Sequence, residues 1–278
     1  MEQKLKKVLQ YFSFFDYYPT SDEIYTFFPV KINEKRLKTI IEAKKYTVGE
    51  YSKKYQISKN KLQNLRFKTY IKILSTFSQI KLVGLSGSIA MMNADLDDDI
   101  DLFIISSKNF LFTARFLATI FAIIMGLKRK TEQHKAPNKV CLNLFFDKSN
   151  LAVPDNKKTE FVAHEILQMK PIIIKDNIYQ KFLEANKWVQ TIFPNSNWIN
   201  SKVKNQKSKV QVKSQNYFKN FKLFTLTSNF LLLTFNLIEL ILKKAQLSMI
   251  NRHRTTEIIT DSQLWFHPVD FGKKIKRL

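Results

Sequence analysis

The sequence predicts an α+β fold: a mixed β-sheet with an α/β-like core, flanked by helices, preceded by a small helical unit and followed by a helical C-terminal region. Three observations predict it. Short apolar runs bounded by turn residues occur at 80–85, 100–105 and 140–146 and read as buried strands. Around them, apolar residues return at helical spacing. A length of 278 residues allows one medium domain with a smaller companion. The expected divisions are a winged-helix-like unit at 1–55, a core at 56–155, a helical extension at 156–200, a linker at 201–216, and a long helix with a tail at 217–278.

The front unit begins with Leu5, Val8, Leu9, Phe12 and Phe15 at helical spacing. Thr20 and Glu23 form a capping-box pattern that starts a second helix through Phe28, and Pro29 stops it. Asn33 can cap a third helix, Glu34 to Ala43, with Leu37, Ile40 and Ile41 inward. Lys45 to Tyr51, containing Gly49, reads as a small hairpin. Three helices and a hairpin is the order of a winged helix, whose third helix often enters the DNA major groove. Arg36 and Lys38 face outward on that helix, but few other side chains suit base reading, so a packing role fits equally well.

A helix is expected from Ser58 to about Phe77, with Leu62, Leu65, Ile73, Leu74 and Phe77 as its packing stripe. Lys59, Lys61, Arg66, Lys68 and Lys72 cover the rest. It leads into the stretch Lys81 to Ser106, where a strand ends in Ser86-Gly87-Ser88, an acidic loop follows, and a second strand opens with Asp99-Ile100-Asp101. Alternate side chains on a strand share a face, so Asp99 and Asp101 project together, about 7 Å apart. Paired carboxylates suit hard cations such as Mg²⁺ or Mn²⁺, which leave other coordination positions to substrate phosphates. A glycine lets the backbone approach a ligand, and amides at a helix start attract phosphate. A calcium loop is excluded, because Ile100 replaces its glycine and Ser106 its terminal glutamate.

Gly87-Ser88, the spacer Ile89 to Asp98, and Asp99-Ile100-Asp101 followed by apolar residues resemble the signature of the DNA polymerase β-like nucleotidyltransferases. The stretch YFSFFDYYPTSDEIYTFF is also similar to the front modules of one branch of that family. The resemblance implies a nucleotidyltransferase-type mixed sheet. It implies that Gly87 and Ser88 hold the phosphates of a nucleoside triphosphate substrate, that Asp99 and Asp101 hold the metal, and that a third carboxylate takes the acceptor's proton. By pattern that third position is Asn143, which completes the expected catalytic set of Asp99, Asp101 and Asn143. An amide can coordinate a metal but is a very poor general base. Asp147 lies on the same face about 13 Å further on, too far to substitute. A non-catalytic descendant that senses nucleotide and binds DNA is therefore the rival reading.

Beyond the acidic strand, Phe110 to Met125 reads as an apolar helix ended by Gly126 and the basic cap Lys128-Arg129-Lys130, and Val140 to Phe146 as the third strand. Further helices are expected at Glu160 to Met169 and, after a break at Pro171, from about Ile178 to Phe193. His164 reads as a surface or packing residue rather than a ligand, since no histidine has a partner at metal-binding spacing. Ser201 to Asn216 is polar and basic, as a linker would be. In the long helix that follows, Leu223 to Leu242 could span a bilayer, but Asn229, Asn236 and Glu239 are expensive in hydrocarbon. A helix packed on the core, or on a second copy of the chain, is preferred, and no membrane partner is expected. Trp265 and Phe266 in the tail are candidate anchors.

A net charge of +23 favours anionic partners such as nucleic acid, although the lysine excess runs along the whole chain as a general bias would. Cys141 is the only cysteine, which excludes an internal disulfide and reads as a buried thiol. The opening MEQKLKKVLQYFSFFDYY carries acids and no sustained apolar core, so no signal peptide is expected and the chain reads as cytoplasmic.

Overall fold

The computed structural model describes residues 1–43, 53–129, 135–196, 228–252 and 257–266. Its frame is six strands: β1 (Ile80–Leu85), β2 (Ile100–Ser106), β3 (Val140–Asp147), β4 (Lys170–Ile174), β5 (Ile258–Ile259) and β6 (Gln263–Trp265). They form one mixed sheet in the order β4-β1-β2-β3-β6-β5. Only β2 and β3 run parallel; every other neighbouring pair is antiparallel. A parallel pair needs a crossover, here the helix α7 (Leu111–Ile124).

Alternation along β2 divides its side chains between two cores. Ile100, Leu102 and Ile104 pack with Tyr70 and Leu74 of α5 (Leu65–Thr76) and with Ala114 and Ala118 of α7. The small alanines let α7 lie close to the sheet, and Tyr70 donates its hydroxyl to the Ala118 carbonyl at 2.9 Å. Phe103 and Ile105 join the opposite core with Ile166 and Leu167 of α8 (Glu160–Gln168), Phe182 of α9 (Ile178–Ala185) and Val189 of α10 (Val189–Ile192). That second core continues without a break into the front of the chain. Leu5 and Phe12 of α1 (Glu2–Phe14), Ile24 of α2 (Ser21–Thr26) and Leu37 of α3 (Glu34–Ala43) belong to the same cluster. Asn195 ties the two together, donating to the Phe28 and Val30 carbonyls and accepting the Ile32 N–H.

The three front helices fall where their periodicity puts them, and the Thr20–Glu23 capping box forms in full. The hairpin expected at Lys45 to Tyr51 and the linker at 201–216 lie outside the described residues. His164 is a packing residue, stacked between Tyr11 and Phe27, and burial holds its imidazole well below the usual pKa.

Four features differ from the sequence expectation. The helix expected from Ser58 is two helices, α4 (Lys53–Gln63) and α5, divided at Asn64, whose side chain caps α5 by accepting from Arg66 and Phe67. Leu65, placed in the packing stripe, is instead 78% exposed, and Lys61, placed on the surface, is buried. The break at Pro171 is a strand: β4 occupies the sheet edge, where a proline without an N–H is tolerated. The helical extension at 156–200 therefore contributes to the sheet itself. The helix expected from Ile178 to Phe193 is α9 and α10, separated by a turn in which buried Asn186 accepts from Val153 N and Trp188 Nε1. Finally, the tail supplies β5 and β6, so Trp265 does anchor it, as a strand residue opposite Leu144 of β3.

The long C-terminal helix α11 (Ser228–Asn251) lies against α7. Glu239 is its polar key: one carboxylate oxygen accepts the Phe112 N–H at 2.8 Å, and the other accepts the Thr113 N–H at 2.8 Å and the Thr113 hydroxyl at 2.5 Å. An acid from a distant helix thus satisfies the orphan amides of the α7 N-terminus and opposes its dipole. Gln246 adds a second bracket, accepting from Arg115 and donating to the Phe112 carbonyl. No helix among the described residues is long and apolar enough to cross a membrane.

Candidate functional site

The turn after β1 and the acids of β2 meet. β1 pairs with β2 so that Leu85 faces Leu102, and the next amide, Ser86 N–H, donates to the Asp101 carbonyl at 3.1 Å. Gly87 then opens the short helix α6 (Gly87–Ala90) with φ +61. A Cβ at this position would lie 2.5 Å from Asp101 Oδ2, so both the backbone conformation and the space require glycine. Asp99, one residue before β2, and Asp101 inside it point the same way. Their carboxylates and the thiol of Cys141 on β3 offer ligand atoms that all lie within 4.8 Å of one another.

Each acid has a protein partner. Arg129, just past the α7 crossover, donates to Asp99 Oδ2 at 2.7 Å and also reaches Cys141 Sγ at 3.7 Å. Asn143 Nδ2 donates to Asp101 Oδ1, and Cys141 donates its S–H to Asn143 Oδ1 at 2.7 Å. Cys141 is the register partner of Asp101, but Leu142 pairs with Leu102 and Leu144 with Phe103. Asn143 is therefore the extra residue of a β-bulge, a device that re-aims a side chain beside a site. Asn143 stands where the sequence placed it, in contact with Asp101. Asp147 is elsewhere, buried and bonded to Ser106 and Ser149.

The acidic loop is held from behind by α4. Ser58 accepts the Ala94 N–H at 2.9 Å, and the Lys61 ammonium donates to the carbonyls of Leu96 at 2.8 Å and Asp98 at 2.7 Å. Asp98 in turn accepts from Ser88 Oγ at 3.0 Å and from its own loop at Asp95 N. Ser88, expected to face phosphate, is thus engaged with the loop. The Gly87 amide also faces the carboxylate of Glu165 on α8 and favours its charged form.

Burial, reinforced by the Asp99 charge and then by Glu165, pushes the Asp101 carboxyl well above the usual range, against the pull of Arg129. Burial raises Glu165 from 4.5 to about 7, opposed by the Gly87 N–H. Burial and the neighbouring Asp101 and Asp99 push the Cys141 thiol up to about 12, which keeps it protonated and unreactive. The carboxylates suit Mg²⁺ or Mn²⁺, and the Asn143 amide oxygen is a further hard donor; the protonated thiol is not.

Sequence reasoning missed Glu165, Arg129 and Lys61. Glu165 had a signal: it shares one side of α8 with Phe161, Val162, Ile166 and Met169, so it is an acid on an otherwise apolar helical face. That face, with Ser86, Phe103, Phe182 and Trp265, lines a cavity of about 70 Å³, whose lining includes neither Asp99 nor Asp101. This is well below the ~150 Å³ that admits benzene, so the cavity takes water or a small group and not a nucleobase. No family model, curated relative or solved structure matches the chain.

Proposed function

We propose that this chain is a divalent-metal-dependent nucleotidyltransferase of the DNA polymerase β-like type, moving a nucleoside monophosphate from a nucleoside triphosphate to a hydroxyl acceptor. The observation that carries the reading is the fit of Gly87 against Asp101: a left-handed glycine turn packs directly on one member of a carboxylate pair. Asp99 and Asp101 would hold Mg²⁺ or Mn²⁺, with the Asn143 oxygen as a further donor. The metal, when bound, neutralises phosphate charge and polarises the reacting phosphoryl group. The Gly87 turn would present its N–H, which now faces the Glu165 carboxylate, to a phosphate oxygen. Glu165, whose proton affinity burial brings to about 7, is the candidate to take the acceptor's proton where Asn143 cannot. The acceptor oxygen bonds to the α-phosphorus as the bond to the β-phosphate oxygen breaks and pyrophosphate leaves.

Transfer of label from α-labelled nucleotide in Mg²⁺ or Mn²⁺ to an acceptor fraction, lost in Asp99→Asn and Asp101→Asn, is the expected result. Nucleotide binding with no transfer to any acceptor under either metal would replace this reading with the second one. That second reading is a nucleotide-binding regulator on the same fold, with the front unit as a winged-helix DNA binder. It is favoured by Asn143 at the third acid position and by the exposure of Lys35 and Arg36 on α3. Salt-sensitive DNA binding that is lost in Lys35→Ala/Arg36→Ala would support it.

A further inference from the structure

The opposite end of the sheet has its own constellation. Each of the four strands β4, β1, β2 and β3 meets that end with a lysine: Lys81 second in β1, Lys108 two residues past β2, Lys148 one past β3, and Lys175 one past β4. Register places them side by side, since Ile80 pairs with Ser106, Ser106 with Asp147, and Lys175 N–H donates to the Lys81 carbonyl. Lys81, Lys108 and Lys148, with the hydroxyl-bearing Ser107 and Ser149, line a cleft of about 430 Å³. That volume lies within the ~300–1,000 Å³ of small-ligand sites.

The charge there is unbalanced. Asp176 pairs with Lys81 at 2.6 Å and feels Lys148 and Lys175 as well. Asp147, the other acid, is buried among serine donors. Lys108 and Lys148 have no described carboxylate at ion-pair distance. Four ammonium groups held by adjacent rigid strand ends repel one another, a cost that a multiply charged anion removes. Burial and the Lys81 charge already push Lys175 down to about 8.

We infer that this cleft is a separate binding site for a small ligand carrying two or more phosphates, held by Lys81, Lys108 and Lys148 through its phosphate oxygens. No aromatic side chain lines it, so it offers no platform for stacked bases, as a single-strand nucleic-acid groove would. Asp101 and Ser107 are six residues apart along an extended segment, about 20 Å. Phosphates seated at the acids therefore do not reach the lysines, and the inference stands independently of the metal site.

The test is calorimetric titration of inorganic tripolyphosphate into the full chain, in EDTA so that the acidic end holds no metal. One saturable site is expected. It should weaken about tenfold per lysine, hence about a hundredfold in Lys108→Ala/Lys148→Ala, because each removes a charge-assisted contact. Asp99→Asn/Asp101→Asn should bind as the unchanged chain does. Lys108→Gln alone reads the same cleft if the double variant melts early. Absence of saturable binding, or equal weakening by Lys35→Ala/Arg36→Ala on the distant α3, overturns the inference. So does an oligonucleotide that loses binding in the double variant while tripolyphosphate fails to compete with it, since the cleft would then serve nucleic acid.

Discussion

The two ends of one sheet have opposite chemistry, and they achieve it by different means. At one end a single turn and the opening of β2 bring Gly87, Asp99 and Asp101 together, and each acid has a partner within the protein: Arg129 on Asp99 and Asn143 on Asp101. At the other end four separate strands each deliver a lysine, Lys108 exposed and Lys81, Lys148 and Lys175 partly buried, with Lys108 and Lys148 unpaired by any carboxylate among the described residues. The acids are a few ångströms apart and coupled to one another, whereas the exposed Lys108 is screened by water. The acidic end should therefore respond to single substitutions in activity, stability and pH together. The basic end should respond only in ligand affinity.

The largest expected effect is on turnover. Asp101→Asn should lower metal-dependent label transfer by at least ~10³-fold, about 4 kcal/mol in barrier. The same change should leave the metal-free fold as stable or more stable, because it replaces a buried carboxyl of raised pKa with a neutral isostere. A variant that transfers label normally would break the contrast between the two ends. Next is Gly87→Ala, where a positive φ and an oxygen 2.5 Å from the new Cβ act together. Denaturant titration should show a loss of about 2–4 kcal/mol.

Glu165 gives a pH test of similar size. Its folded-state value, about 7, lies above the ordinary 4.5, so its contribution to stability is complete below about 4.5 and is lost as pH rises through 7. Unfolding free energy should fall by on the order of 3 kcal/mol between pH 4.5 and 8 from this group, and Glu165→Gln should remove that part of the slope. A wild-type slope that Glu165→Gln leaves unaltered would show that burial at α8 is not what sets the acidic end apart. Glu239→Ala uncaps α7 and should cost about 1–2 kcal/mol in a thermal or denaturant melt. Smallest of all, Lys108→Ala should change stability by less than about 0.5 kcal/mol, as exposed unpaired lysines do.

What was legible in the sequence was local. Asp99 and Asp101 lie on a short segment whose alternation fixes their facing, Gly87 lies in the turn before it, and a capping box or an apolar stripe fixes α1 to α3 without reference to the rest of the chain. What was not legible depended on pairing across distance. β4 is KPIII, five residues containing a proline, and it becomes a strand only because β1 offers an open edge. β5 and β6 have two and three residues, below any window in which a period can be counted. Lys61 has the sequence of a surface lysine and the position of a buried clamp, because the carbonyls it serves come from a loop more than thirty residues later. Asn64 did carry a capping signal, hidden within a continuous helical pattern.

The tail strand β6 has one further consequence, for biosynthesis. It covers the side of β3 that would otherwise be a sheet edge, and Phe266 N–H bonds to the carbonyl of Asn143 itself. Until β6, more than a hundred residues after β3, has been synthesised, β3 presents open hydrogen-bonding groups next to the acids, the kind of border that recruits a neighbouring nascent chain. The bulge that aims Asn143 gains its outer partner only when that late hairpin arrives, so the acidic end of the sheet is completed only after a strand far along the chain has been made.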